Sequence, residues 1–390
     1  MVRYGSWRLG LKKEMNSRPN PDKVAFSGRQ NYVADTLRLD IVSGVFKPGG
    51  RMPSHVELVN RFGVSGVTIQ HALNQLIRDG FLYSLPRKGT FVVPDPPHLC
   101  HYAMTFHTQP SQPSWPQFWI ALSREAIALQ QAGSRQLSMF HGIHGWSPGS
   151  DYEKLTALVS RHLVAGLIFT SDPHSLVGSP LMAEPGIPRV AITPNTSYEG
   201  VTAIELDSLA VRISAALPRG QRRNVAVLTT PTYPNETLKS LLCKSAEDVL
   251  MRPEWVLAVR VEDAVWARNA AQSLMSADRR RRPNVVIITD DNLVPHATAG
   301  IAAAGVRVPE DVDVIAHATF PWPTPSWVPA RRIGHDVRRV LGACMDIIDA
   351  KHAGRDVPRS LTIPAVFEEE LGGSQASDAA GDELQASAEE

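Results

Sequence analysis

The sequence predicts a mixed α/β chain, an N-terminal winged helix-turn-helix followed by a two-lobed body built on two parallel sheets. Three observations carry this. Residues 53–80, PSHVELVNRFGVSGVTIQHALNQLIRDG, read as two short helices joined by a tight turn. Residues 81–93, FLYSLPRKGTFVV, read as two strands around a basic tip at Pro86-Arg87-Lys88-Gly89. From residue 100 onward, apolar strand-like runs alternate with amphipathic helices, the pattern of parallel sheets with helices on both faces.

Residues 1–27 are polar, basic and aperiodic, and are expected to be a disordered tail. The winged module is expected over 28–93. It opens with a helix over 32–43 that carries Val33, Leu37 and Ile41 on one face. Gly44, Pro48, Gly49 and Gly50 then break the chain. Ser54 and Glu57 fit a capping box, in which each side chain satisfies an orphan backbone donor. The first helix of the pair should run to Phe62, with Val59 and Phe62 turned inward and Gly63 ending it. Ser65 can cap the second helix, whose stripe is Ile69, Ala72, Leu73, Leu76 and Ile77. The opposite face carries Gly66, Thr68, Gln70, His71, Asn74 and Gln75, all short or polar and none acidic. Such a face suits entry into a DNA major groove. Pattern alone also allows an ordinary helical hairpin; the third helix upstream and the basic hairpin downstream favour the winged module.

Residues 41–93 resemble the DNA-binding domain of the GntR family of bacterial regulators. The matching pieces are Gly44 with Pro48-Gly49, Pro53-Ser54, Leu58, Phe62-Gly63-Val64-Ser65, Thr68, Ala72-Leu73, Leu76, Gly80 and Gly89-Thr90-Phe91-Val92. The resemblance implies a dimer on an operator, with the recognition helix in the major groove and the wing tip in the minor groove. It points to Ser54, Ser65, Gly66, Thr68, Gln70, His71, Asn74, Arg87, Lys88 and Gly89 as the DNA-facing set. Departures from the family stand at Val56, Gly66 and Gln70, where many members carry basic residues. Arginine bidentate to guanine is the commonest specific base contact, so the usual readout is missing here.

Charge is divided unevenly along the 390 residues. Residues 1–98 carry a net +7 and the remainder a net −6, which fits a nucleic-acid-binding end on a small-molecule-binding body. The three cysteines, Cys100, Cys243 and Cys344, are far apart and odd in number, as expected of a reducing compartment. No apolar run approaches the roughly 18 residues a membrane span requires, and the N-terminus lacks an apolar signal core. A cytoplasmic protein is expected.

Pro94-Asp95-Pro96-Pro97 marks residues 94–99 as a stiff extended linker. Strands are then expected over 101–107, 136–140, 166–170, 189–192, 201–207, 225–229, 255–261, 284–290, 312–318 and 361–367. Helices are expected over 116–131, 151–163, 235–250, 263–277, 293–304 and 336–351. Residues 284–316, NVVIITDDNLVPHATAGIAAAGVRVPEDVDVIA, and the closing GRDVPRSLTIPAVF resemble the effector-binding domain of LacI-type regulators, which shares the type I periplasmic-binding-protein-like fold. The similarity covers most of 100–368. Arabinose-responsive repressors join the same two modules. Residues 369–390 are small, polar and acidic, and are expected to be disordered.

In folds of this kind a ligand lies at the carboxyl ends of the strands. Trp115 and Phe118, in the loop Ser114-Trp115-Pro116-Gln117-Phe118, could stack on a sugar face or pack between the lobes. Asp291 matches the family's ligand-contacting Asp, with Asp290 beside it where the family has Asn. Asp291 could accept two hydroxyl hydrogen bonds or cap the next helix. Asp207, after the strand that crosses over, is the third candidate. Trp322, in the loop PWPTPSW, could be a second wall of the pocket or part of a packed surface loop. His98, Cys100 and His101, or His141 and His144, could bind a metal, but lack a matching second half and are expected to be ordinary packing. Arg279 to Arg282 read as a solvated loop. No catalytic motif, metal or cofactor is expected. The function expected is a ligand-responsive, homodimeric DNA-binding regulator, a repressor with a sugar-class effector and an operator partner. The alternative is a small-molecule-binding protein whose DNA module has lost sequence readout.

Overall fold

The computed structural model describes residues 26–112, 115–133, 135–145, 149–217, 223–231 and 249–371. Most of the expected helix over 235–250, and nearly all of both terminal tails, lie outside these residues. The chain divides into two units: residues 1–100 with 161–163, and residues 101–160 with 164–390.

In the first unit, helix α1 (Phe26–Val42) begins several residues before the expected start and buries Val33, Leu37 and Ile41. Helix α2 (His55–Phe62) carries both halves of the Ser54–Glu57 capping box and ends on Gly63, which takes the left-handed conformation. Helix α3 (Gly66–Arg78) is capped by Ser65, whose hydroxyl accepts from the Thr68 N–H. Ile69, Ala72, Leu73 and Leu76 are buried as expected, while Ile77 is only half-buried. The inward residue of α2 is Leu58, fully buried, rather than Val59 or Phe62. Phe62 instead meets Tyr32 edge-on at 6.4 Å. Strands β1 (Leu82–Leu85) and β2 (Gly89–Val92) pair antiparallel around a tip where Arg87 has φ 62°. The buried Arg38 guanidinium on α1 pairs with Asp79 at 2.9 Å and so ties α1 to the end of α3.

Residues 94–100 are not simply extended. Pro97–Cys100 forms one helical turn, and buried His98 stacks on Phe81 at 5.7 Å. The apolar ring face gains more from that contact than from water, so the proline run bends back onto its own module.

The second unit contains two sheets. The first has the order β14 (Ser360–Ile363), β7 (Val201–Leu206), β6 (Arg189–Ile192), β5 (Gly166–Phe169), β3 (His101–Phe106) and β4 (Gln136–His141), all parallel. The second follows the order β10 (Val256–Ala258), β8 (Arg223–Thr229), β11 (Val285–Ile288), β12 (Asp313–Phe320), β13 (Arg331–Asp336) and β15 (Val366–Phe367), with β9 (Val249–Leu250) also on β8. Three differences from expectation stand out. Strand β13, RRIGHD, is too polar to be read as a strand, yet it lies in parallel register beside β12. The final run over 361–367 is two strands: β14 joins the first sheet and β15 pairs antiparallel with β13 in the second. Pro364 lies between them, and proline cannot donate to a ladder. Val249–Leu250 is strand, not helix end.

Helices α4 (Gln117–Ala132), α5 (Ser150–Ser160), α6 (Leu209–Ala216), α7 (Val265–Met275), α8 (Val294–Ala303) and α9 (Val337–His352) cover the sheets. Helix α9 follows β13 of the second sheet but buries Val337, Val340, Leu341 and Cys344 in the core of the first lobe. The chain therefore crosses between lobes three times, after β7, after β13 and after β14. The Asp207 N–H donates to the Ile363 carbonyl at 3.0 Å, binding two crossings together. Among the described residues no helix is long and apolar enough to cross a membrane.

Strand β13 approaches β12 so closely that a Cβ at Gly334 would lie 1.6 Å from the Ala318 carbonyl oxygen. Gly334→Ala is expected to cost about 3 kcal/mol or more, because two hydrogen-bonded strands must part. Gly342→Ala, on α9 where the added methyl meets open space, should be neutral or stabilising by about 0.5–1 kcal/mol. Chemical denaturation of the two variants checks the contrast.

Candidate functional site

Two regions gather the sequence-selected residues. The first is the exposed face of α3 with the hairpin tip. Gln70, His71 and Asn74 are exposed on one side of α3, and Arg87, Lys88 and Gly89 are exposed at the tip. Gln70 Nε2 donates to Asn74 Oδ1 at 3.0 Å, so one side chain holds the other's amide in a fixed orientation. Thr68 differs from the reading of it as outward-facing. It is buried, its spacing of four from Ala72 places it on the edge of the apolar stripe, and its hydroxyl meets Ser65 Oγ at 2.9 Å. Ser54 and Ser65 spend their hydroxyls on caps, and the Ser54 bonds hold the Glu57 carboxyl below its ordinary value. Sequence reasoning passed over His55. Its Nε2 donates to the Gly66 carbonyl at 2.9 Å, across the turn between the two helices.

The second region is the carboxyl end of both sheets in the body. In the second lobe, β11 leads to Asp290 and Asp291. Asp290 accepts from the Asn292 main-chain N–H at 2.9 Å and from its amide at 2.8 Å, so it serves the turn. Asp291 is buried, and its carboxylate accepts from Thr319 Oγ1 at 2.6 Å. Its carbonyl accepts from Thr324 Oγ1 at 3.1 Å. The helix-cap reading is not what is found: α8 starts after Leu293 with no side-chain cap. Burial pushes the Asp291 carboxyl above its ordinary value, opposed by His317, whose Nδ1 lies 3.8 Å away.

His317 and His335 stand diagonally across β12 and β13, since His317 pairs with Ile333 and His335 with Thr319. His335 is buried, is hydrogen-bonded to the main chain of Asp207, and is pushed down to about 4 by burial and then by His317. Among the described residues neither His317 Nδ1 nor His335 Nε2 has a hydrogen-bond partner. Asp207 thus sits at a crossing, joined through its main chain to both Ile363 and His335. No motif marked His335, because it lies on the strand that the hydropathy pattern missed.

The first lobe contributes an aromatic cluster. Trp115 lies 5.0 Å from Phe106, 5.0 Å from Trp119 and 5.7 Å from His141, ring centre to ring centre. The Trp119 indole N–H donates to the Thr170 carbonyl at 3.3 Å. Trp115, Phe118 and Trp322 all pack half-buried against the first-lobe core, Trp322 arriving from the loop after β12 of the other lobe. Trp322 thus reaches the first-lobe core from the other lobe, whereas the ring partners of Trp115 all lie within the first lobe. A cavity of about 190 Å³, lined by His107, Gln112, His141, His144 and Asp151, opens beside the cluster. Burial holds His107 and His141 below the ordinary histidine value. A larger cavity of about 740 Å³ runs along edge strand β10 and the face of α7 that carries Trp266. Among the described residues no group of side chains could hold a metal ion. His98 and His101 pack, the latter against Ser138 Oγ at 2.8 Å.

Comparison with known proteins finds a match within each unit. Residues 29–92 match the family model "Bacterial regulatory proteins, gntR family", and residues 217–365 match "Periplasmic binding protein-like domain". The chain is 23% identical over 308 residues to the arabinose metabolism transcriptional repressor of Geobacillus stearothermophilus, covering 76% of this chain and 83% of that protein. A LacI-family regulatory protein from Chloroflexus aggregans superposes with a TM-score of 0.52 at 14% identity, over 68% of this chain and 96% of its own. A LacI-family regulator from Lactobacillus casei with bound glucose gives 0.50 at 17% identity, over 69% and 97%. These likenesses establish the fold of the body.

His335 is less protonated when folded than when unfolded between its ordinary value of 6.5 and about 4. The unfolded chain binds the extra proton there, so stability is retained above pH 6.5 and lost as pH falls toward 4. His335→Asn should remove up to about 3 kcal/mol of this pH dependence. Thermal unfolding at several pH values in that window, wild type against variant, measures it.

Proposed function

We propose that this chain, which joins a GntR-type winged helix to a periplasmic-binding-protein-like body, is a ligand-responsive transcription regulator that acts as a repressor. The observation that carries the reading is the pairing of an acid-free, capped recognition helix with a two-lobed body that holds a buried carboxylate, Asp291, at its strand ends. The name of the Geobacillus stearothermophilus relative, a repressor of arabinose metabolism, supports a sugar-class effector. Asp291 and His335 offer acceptors to its hydroxyls, and the aromatic cluster around Trp115 offers a stacking face. Asp290, Asp207, Phe118 and Trp322 shape the cleft rather than contact the effector.

On the DNA side, Gln70, His71 and Asn74 face the groove, and Arg87, Lys88 and Gly89 form the wing tip. Ser54, Ser65 and Thr68 set the helix starts. Gln70 suits adenine, to which its amide can pair through N6 and N7. The working form is a homodimer, because one module makes too few contacts for tight specific binding. The site of action is the cytoplasm. Ligand binding favours one arrangement of the lobes and thereby changes the population competent for DNA.

The deciding experiment is selection of bound DNA from a random pool by the full chain, with and without a library of sugars. A two-fold sequence enriched in one condition and not the other supports the reading; no enrichment in either contradicts it. Gln70→Arg should move preference toward guanine at one position per half-site. Asp291→Ala should abolish the sugar response and leave DNA affinity within about twofold, since it removes both acceptor oxygens. Sedimentation of the full chain at micromolar concentration should give a dimer, and a monomer with and without DNA would refute that part.

A further inference from the structure

Gly66 is the first residue of α3 and has no side chain to offer DNA, but the space beside it is filled. The His55 ring lies there, with Nε2 2.9 Å from the Gly66 carbonyl oxygen. A Cβ built on Gly66 would come 2.8 Å from His55 Cε1 and 3.7 Å from Nε2. A side chain at position 66 would therefore push the exposed His55 ring out of this place. The ring is exposed, as are its neighbours Ser54 and Val56.

We propose that His55 is a specificity-determining residue, the ring that meets the DNA in the place a side chain at position 66 would take. The reading of the chain as a DNA-binding regulator underlies this. Chemistry narrows what the ring can recognise. A carbonyl only accepts, so Nε2 carries the proton that bonds Gly66, and Nδ1 is the ring atom left to meet DNA. With Nε2 donating to Gly66, the Nδ1 lone pair takes a donor, and adenine N6 and cytosine N4 each present an amine in the major groove. His55 therefore selects adenine or cytosine at one position of each half-site. No acidic side chain in the first turn of α3 competes for that amine.

The test is random-pool selection by the full wild-type chain, by His55→Ala, by Gly66→Arg and by the double variant His55→Ala/Gly66→Arg, each first shown to unfold cooperatively. Wild type should enrich adenine or cytosine at one half-site position. His55→Ala should lose that preference there by about three- to tenfold, the range for one hydrogen bond, while other positions hold. Gly66→Arg should evict the ring and move the same position to guanine, and adding His55→Ala should change the preference no further. Identical sequences from wild type and His55→Ala would overturn the proposal. So would a uniform loss of affinity for all sequences, which would place His55 against phosphate. If the wild-type chain enriches no sequence at all, the regulator reading falls and the proposal with it; enrichment that ignores His55 sinks the proposal alone.

Discussion

The body depends on one topological constraint: its chain passes three times between two sheets, and all three passages lie at the carboxyl ends of the strands. Those passages follow Leu206, Asp336 and Ile363, and the main-chain bond from Asp207 to Ile363 joins two of them. Nothing can enter between the strand ends without bearing on these connections. The Asp291 carboxylate is held there by Thr319, and His335 reaches from the same edge to the main chain of Asp207. In the proposed reading, a ligand at the strand ends lies beside the segments that connect the two lobes. Burial raises the Asp291 carboxyl and lowers the His335 ring, so both are held toward their neutral forms.

The winged module works by a different economy. Its caps, Ser54 with Glu57 and Ser65 with Thr68, consume the hydroxyls that might have touched DNA. What remains on the outer face is an amide pair, Gln70 with Asn74, the exposed His71, and the His55 imidazole bonded across the turn. In the proposed reading, a Gln70 amide already bonded to Asn74 has less entropy to lose on meeting DNA than a free one.

Much of this was legible in the residues. The capping box, the Gly63 stop and the stripe on α3 follow from spacing alone, and the strand–helix alternation gave the parallel sheets. Asp291 was visible because its motif is local. The failures share a cause, which is tertiary pairing overriding local pattern. RRIGHD is polar at both ends, with Arg331 and Arg332 paired to Glu369 and Glu368 and with His335 and Asp336 at the crossing, so hydropathy concealed both the strand and His335. LTIPAVF is apolar throughout, and only Pro364 hints that it serves two sheets. His55 was invisible because its partner, the Gly66 carbonyl, lies 11 residues away across a turn. Thr68 was placed outward by its polarity, although its spacing from Ala72 and Leu76 already put it on the buried stripe.

The claim at the centre is that the strand-end cleft and the winged module share one free energy. Calorimetric titration of a sugar that alters DNA binding, into the free chain and into the chain saturated with its selected duplex, measures that coupling directly. Linkage requires the two sugar affinities to differ by the same factor by which the sugar changes DNA affinity, on the order of 5- to 150-fold for a coupling of this kind. Equal sugar affinities in the two titrations would show that the cleft and the DNA-binding module are independent, and would contradict the account.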